Sequence, residues 1–461
     1  MRPSSSTADG LVDLLFGSAA VDAAVSDTAW LQAMLDMEAA LAGAGADAGL
    51  VPTSAAEEIA AACRSELFDI AGIGLRSLAA GNPAAPLVSD LTQAVSAQAQ
   101  PYVHLGATSQ DVIDTAHALM AQRALDVILE DLVAAAATCA ALAVAHSESL
   151  MTARTLLQPA VPTTFGLKAA TWLVGIDEAH AVLARVRFER LAAQLGGAGG
   201  TLASLDDAGV NVVHRFAERL GLVEPVMPWH TNRTRIAELA AALGIVIGAL
   251  AKIARDITLL AQAEVAEAAE SEGQEHGTSS TLPQKRNPVR AVLILAAAER
   301  APGLVGTAFH AMVQEHERAT GGWHAEWETM RQLLRLAGGA SHHAAALLTT
   351  LRVDPARMRE NLTADGGLVM AESVAGHLSK RVGPSTARAV VRRCSEESAR
   401  RQLPFAAVVA HDPEVRRHLS DAEIASALDA SSYLGSTSEL IRRAHAAHRA
   451  WEVQATVDAQ Q

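Results

Sequence analysis

The chain has 461 residues, half of them hydrophobic but only 3% aromatic, and a net charge of −14. The length is enough for about three domains with sizeable cores. The acidic balance excludes general binding to nucleic acid or an anionic membrane surface, which needs a basic face.

The apolar residues are mostly Ala, Leu and Val, a composition suited to close-packed long helices. Cys63, Cys139 and Cys394 are widely spaced, with no CxxC pair. Together with a polar first ten residues that lack an apolar signal core, this predicts a reduced, cytoplasmic protein. The longest apolar run, Leu239–Ala251, lies between Glu238 and Lys252 and reads as a buried helix too short to span a bilayer.

In chain order, a first helical region covers residues 1–100. Helical spacing is clear in Trp30, Leu31, Met34, Leu35, Met37 and Leu41. Breaks follow at Leu50–Thr53 and at Gly81-Asn82-Pro83. A central region, 101–345, opens on Tyr102–Asp111, where Thr108 and Asp111 have capping-box spacing before a helix predicted to run to about Ser147. A break at Arg154–Gly166 precedes a helix expected over 167–195, which the cluster Gly196–Gly200 ends. No strand pattern is evident. A long helix is expected from Ile236 to about Ala269, and another from Pro288 to about Glu315. Beyond about residue 345 the helices become shorter and more charged, giving a C-terminal region, 346–461. Long helices that are apolar on nearly all sides need cover from other subunits.

Between the last two long helices lies Ser271–Arg290, a polar loop with Ser279, Ser280 and Lys285 just ahead of a helix start at Asn287-Pro288. A helix N-terminus favours an anion through its free N–H groups and partial positive charge. Thr108-Ser109-Gln110 and Gln158 with Thr163-Thr164 repeat the design of neutral donors before a long helix. For either of these, simple capping is the simpler reading. The third loop is longer and adds a lysine. No histidine pair has zinc spacing, so no metal is predicted. Arg233 is a candidate for reaching a carboxylate, and His104, His230, His276, His316 and His324 are the histidines placed to matter.

Gly277–Pro288 resembles the signature loop of the fumarase/aspartase superfamily; Thr108–Asp111 resembles its first signature and Arg154–Thr164 its second, in the same order. Within the superfamily the chain is most similar to the bacterial cycloisomerases of 3-carboxy-cis,cis-muconate, through Gly81-Asn82-Pro83, Pro228–Thr231, Gln314–Arg318, Trp323–Glu328 and Tyr433–Gly435. The resemblance implies an all-α homotetramer whose central helices form a twenty-helix bundle, with active sites shared between subunits and no cofactor. It implies Ser279 as the proton-exchanging residue, with Lys285 and His104 also catalytic. Asn82, Thr108, Ser109, Gln158, Thr163, Arg233, Ser280, Asn287, His316 and His324 are then expected around a small polycarboxylate. The implied reaction is lactonisation of 3-carboxymuconate in protocatechuate degradation through an aci-carboxylate; the alternative is elimination of fumarate, or a related enedioate, from a substituted succinate. Leu156 stands where lyases of adenylosuccinate and argininosuccinate carry histidine. Pro159, Gln274-Glu275-His276, Thr278 and Gln284 also depart from the usual pattern.

Overall fold

The computed structural model describes residues 12–270, 282 and 285–458. It is dominated by helices, the longest being Ser109–Ala145, Gly322–Thr349, Thr234–Leu260, Val289–His310 and Thr437–Asp458. The 37 residues of Ser109–Ala145 make a rod of roughly 55 Å at ~1.5 Å per residue. Its apolar side chains are spread round the axis, as a helix covered on several sides requires.

Packing divides the chain into two units, each drawn from separate stretches. One takes Met1–Val133, Glu178–Lys252 and Leu293–Ala344; the other takes Ala134–Asp177, Ile253–Val292 and Ala345–Gln461. In the first unit the Asp27–Asp47 helix starts at Ser26, whose hydroxyl accepts from Ala29 N, and buries Leu31, Met34, Leu35, Met37 and Leu41. In the second unit Val374, Leu378, Val390, Cys394, Phe405, Val409, Val415 and Ile424 form a core among helices of 6 to 18 residues.

Three expectations need correction. The Arg154–Gly166 break is a β-hairpin: Leu150–Thr155 pairs antiparallel with Gln158–Thr164. Pro159 and Pro162 mask the strand in sequence. Its tip, Leu156 and Leu157, has φ of 51° and 66°. Next, the helix expected to reach Ala269 stops at Leu260. Ala266 has φ 52°, and Ala268–Glu270 pairs as a strand with Leu351–Val353. Alanine richness carried the helical pattern past a real break. Last, the helices carrying the apolar runs are longer than those runs. Ser109–Ala145, Thr234–Leu260 and Val289–His310 are long and apolar enough to cross a membrane by length and composition, with 44%, 50% and 22% of their apolar windows buried within the chain.

Candidate active site

In the first unit, the loop before the Ser109–Ala145 helix is held by one buried carboxylate. Asp111, in the first turn, accepts from Thr108 N at 2.9 Å, which is half of the expected capping box. It also accepts from Gly196 N at 3.0 Å and Gly197 N at 2.9 Å, from Gln194 Nε2 at 3.3 Å, and from the His230 ring Nε2 at 2.6 Å. The glycine cluster read as a helix break is therefore a backbone cradle for Asp111. Glycine is needed there because a Cβ on Gly196 would lie 2.7 Å from His230, and Gly197 has φ 69° with a Cβ that would lie 2.8 Å from Gly106 O.

One turn further along, Asp114 belongs to a closed ionic network. Arg233 is 2% exposed. Its Nη1 and Nη2 donate to Asp114 at 2.8 and 3.0 Å, and its Nε and Nη2 donate to Glu326 at 3.0 and 2.5 Å. Trp323 Nε1 and Gln110 Nε2 also donate to Asp114, at 2.9 and 3.0 Å. The Trp229 ring lies 4.9 Å from the guanidinium carbon. Burial lifts the Glu326 carboxyl to about 7 against the pull of Arg233. Burial opposes the charge on Arg233, but Asp114 and Glu326 outweigh it and hold the guanidinium protonated. The expectation that Arg233 reaches a substrate carboxylate is corrected on this geometry: its donors are committed to two buried protein carboxylates.

His104, with φ 57°, lies in the same loop as Thr108 and Ser109, and all three are partly exposed. Its Nδ1 is 2.6 Å from Glu38 Oε1, a carboxylate with no exposed side-chain surface. Burial works against a charge on His104, but attraction to Glu38, the hydrogen bond to it and the more distant Asp111 win, so the imidazole keeps its proton to higher pH than usual. Glu38 is visible in sequence only as a charge inside the apolar stripe Leu35–Leu41.

Elsewhere in this unit, the Asn82 side chain accepts from Ala85 N at 3.2 Å, while His324 Nε2 lies 3.2 Å from Gly81 O. His316 is exposed, with φ 45°, and its carbonyl accepts from Thr231 Oγ1 at 2.9 Å. Arg318 Nη2 donates to Gly197 O at 2.8 Å. Four loops and the start of the Gly322–Thr349 helix thus meet in pairs: 81 with 324, 231 with 316, and 197 with 318.

In the second unit Gln158 is exposed on the hairpin and Thr163 is half-buried. Thr164 caps the next helix through Leu167 N at 3.1 Å. Arg154 forks onto the buried Glu267 at 2.9 and 2.7 Å, and Asn361 Nδ2 joins it at 2.8 Å. Lys285 is exposed and Asn287 half-buried. The helix expected to begin at Pro288 runs over Val289–His310. Its first N–H groups are not left open: Arg290 N and Ala291 N donate to Glu270 at 3.2 and 3.0 Å. A protein carboxylate therefore occupies that end of the helix, where a substrate anion was expected. Ser279 and Ser280 lie outside the described residues, as do the departures at Gln274, Glu275, His276, Thr278 and Gln284.

Comparison with known proteins extends this picture. Residues 13–303 match the lyase family model, and 367–444 match the adenylosuccinate lyase C-terminus. A 3-carboxy-cis,cis-muconate cycloisomerase of Bradyrhizobium diazoefficiens is 46% identical over 432 residues, 93% of this chain and 96% of that one. A nitrosuccinate lyase of Streptomyces davaonensis is 44% identical over 446 residues, 94% of each. The crystal structure of the 3-carboxy-cis,cis-muconate lactonizing enzyme from Pseudomonas putida superposes with a TM-score of 0.91 at 42% identity, covering 96% of this chain and 99% of the other. The chain belongs to the lyase family of the fumarase/aspartase superfamily.

Proposed function

We propose that the chain is an intramolecular lyase that converts 3-carboxy-cis,cis-muconate to 4-carboxymuconolactone. A carboxylate oxygen of the substrate adds to a conjugated double bond, giving an aci-carboxylate. A proton then reaches the carbon next to that group. Substrate and lactone are isomers, so no electrons leave. Ser279 exchanges the proton, and Lys285 and Asn287 hold the aci-carboxylate, whose developing charge is the term an enzyme gains most from stabilising. Thr108, Ser109, Asn82, Gln158, Thr163, Ser280, His316 and His324 contribute binding groups. His104 supplies a cationic donor to another substrate carboxylate. The site is completed between copies of the chain in a cytoplasmic homotetramer, whose packing covers the apolar helix faces.

The observation that carries this reading is the near full-length likeness to cycloisomerases at 46% and 42% identity. Leu156 agrees with it. It is 97% exposed at the hairpin tip, and an apolar side chain cannot protonate a leaving nitrogen. A lactonisation has no such leaving group.

The nitrosuccinate lyase relative favours a second reading, elimination from a substituted succinate. Nitrite leaves as a stable anion, so this reaction too dispenses with an acid at position 156. A panel assay separates the two. Wild type is expected to remove the diene absorbance of 3-carboxymuconate, and Ser279→Ala to lose at least about 100-fold in kcat. Fumarate and nitrite released from nitrosuccinate, with the diene untouched, would establish the elimination. Equal rates for Ser279→Ala would remove that serine from the chemistry.

A further inference from the structure

We propose that Glu38 is a positioning residue for the reaction: from inside the Asp27–Asp47 helix it fixes the ring of His104 and leaves Nε2 as the charged donor for a substrate carboxylate. This rests on the reading of His104 as part of the site.

Glu38 is 1% exposed and lies on the stripe formed by Met34, Leu35, Met37 and Leu41. A leucine there would pack without cost. A carboxylate there costs desolvation free energy unless it is paired. Only half of it is paired: Oε1 meets His104 Nδ1 at 2.6 Å, while Oε2 is buried with no hydrogen-bond partner among the described residues. For comparison, Asp111 in the same unit has its carboxylate met by five donors. A carboxylate kept in a core for a single imidazole fits a group whose task is the imidazole. The imidazole belongs to a loop residue in the left-handed region, a conformation that costs free energy in a non-glycine residue. Four residues later comes the hydroxyl pair Thr108-Ser109 at the helix start.

With Nδ1 held by Glu38, only Nε2 remains to meet a ligand, and the pair as a whole is neutral when the ring is protonated. Such a ring donates a charge-assisted hydrogen bond. The charged and titratable groups around it are few. Glu38 and Asp111 favour the proton on His104; His230 is hydrogen-bonded to Asp111. Cys63 and Asp36 adjoin Glu38, and burial, with Glu38 next, pushes the Cys63 thiol well above its usual range.

The test combines kcat and KM pH profiles for Glu38→Gln, Glu38→Asp, His104→Gln and the double variant with pH-dependent diethylpyrocarbonate labelling of His104, read by mass spectrometry on the tetramer or whatever oligomer the chain forms. Glu38→Gln should lower turnover on the order of 10- to 100-fold. It should also move the alkaline limb of the profile to lower pH, with Glu38→Asp partly restoring it. The double variant should be no worse than His104→Gln, because the two residues act as one device. A merely structural Glu38 would leave the limb in place and add its loss to that of His104→Gln; that result overturns the proposal. Wild-type activity in His104→Gln sinks instead the placement of His104 in the site. Labelling needs no substrate, and it stands even if Glu38→Gln fails to fold. A wild-type His104 that is half-protected above the ordinary ~6.5 of histidine supports the pairing, and one at or below it contradicts it.

Discussion

Two buried acid–base clusters in the first unit are built on opposite plans. Asp114, Arg233 and Glu326 form a closed set in which every guanidinium nitrogen has a carboxylate partner, with Trp323 and Gln110 filling further positions. Glu38 and His104 form an open set: among the described residues they share one hydrogen bond, and Glu38 Oε2 has no partner. The closed set ties the Ser109–Ala145 and Gly322–Thr349 helices to the start of the Thr234–Leu260 helix, and every guanidinium nitrogen of Arg233 is committed to a carboxylate. The open set retains a titratable donor beside a helix start. Burial and charge are common to both clusters; what differs is how many of the charged groups' hydrogen-bonding positions are filled.

The largest expected effect comes from opening the closed set. Arg233→Met leaves Asp114 and Glu326 buried without their cation, and should cost about 3–5 kcal/mol of unfolding free energy, read as a fall in the urea midpoint. A loss within ~1 kcal/mol would mean that the network is solvated and that Arg233 is free for a substrate after all.

This contrast also marks where the sequence was legible. The three signature loops and the long helices could be read directly, because hydroxyls, a lysine and Asn-Pro interrupt an alanine-rich helical pattern at fixed places. In sequence Arg233 reads as a ligand residue, because an arginine near a helix start gives no sign of two carboxylates 93 and 119 residues away. Glu38 gives no functional signal in sequence for the same reason: its partner is 66 residues distant. The hairpin was hidden by its prolines, and Glu270 at the end of the Val289–His310 helix lies 20 residues from the N–H group it accepts. Local chemistry is written locally, whereas the pairing of charges is decided by the fold.

A second effect concerns pH. His117 stacks on Trp30 at 5.1 Å, and burial lowers it to about 4, with Asp114 opposing and Arg233 and Arg331 assisting. A histidine depressed in the folded state binds its proton more readily when unfolded. Its contribution is complete above the ordinary value near 6.5 and is lost as pH falls from there towards about 4. His104 has the opposite sign: raised in the folded state, it contributes fully below its unfolded value and loses that as pH rises through the folded one. His117→Gln should therefore flatten the acid side of the stability profile, and Glu38→Gln the alkaline side. Each is measured as a difference from wild type in urea midpoint across pH 4–9. If His117→Gln parallels wild type on the acid side, the ring is not held neutral by the fold.

The smallest effect is at the hairpin tip. Leu156 and Leu157 both have positive φ, which Asn-Gly adopts at lower cost. Replacing the pair with Asn-Gly should stabilise the chain by up to about 1 kcal/mol in thermal or chemical unfolding. Both side chains are largely exposed, so a neutral or negative change would contradict a backbone cost at the tip.

The most direct test of the account is the ratio of kcat/KM for 3-carboxymuconate to kcat/KM for nitrosuccinate, measured on one preparation with product identified by NMR. The account predicts a ratio well above one, with 4-carboxymuconolactone as the product. A ratio below one, with fumarate and nitrite as the only products, would contradict it.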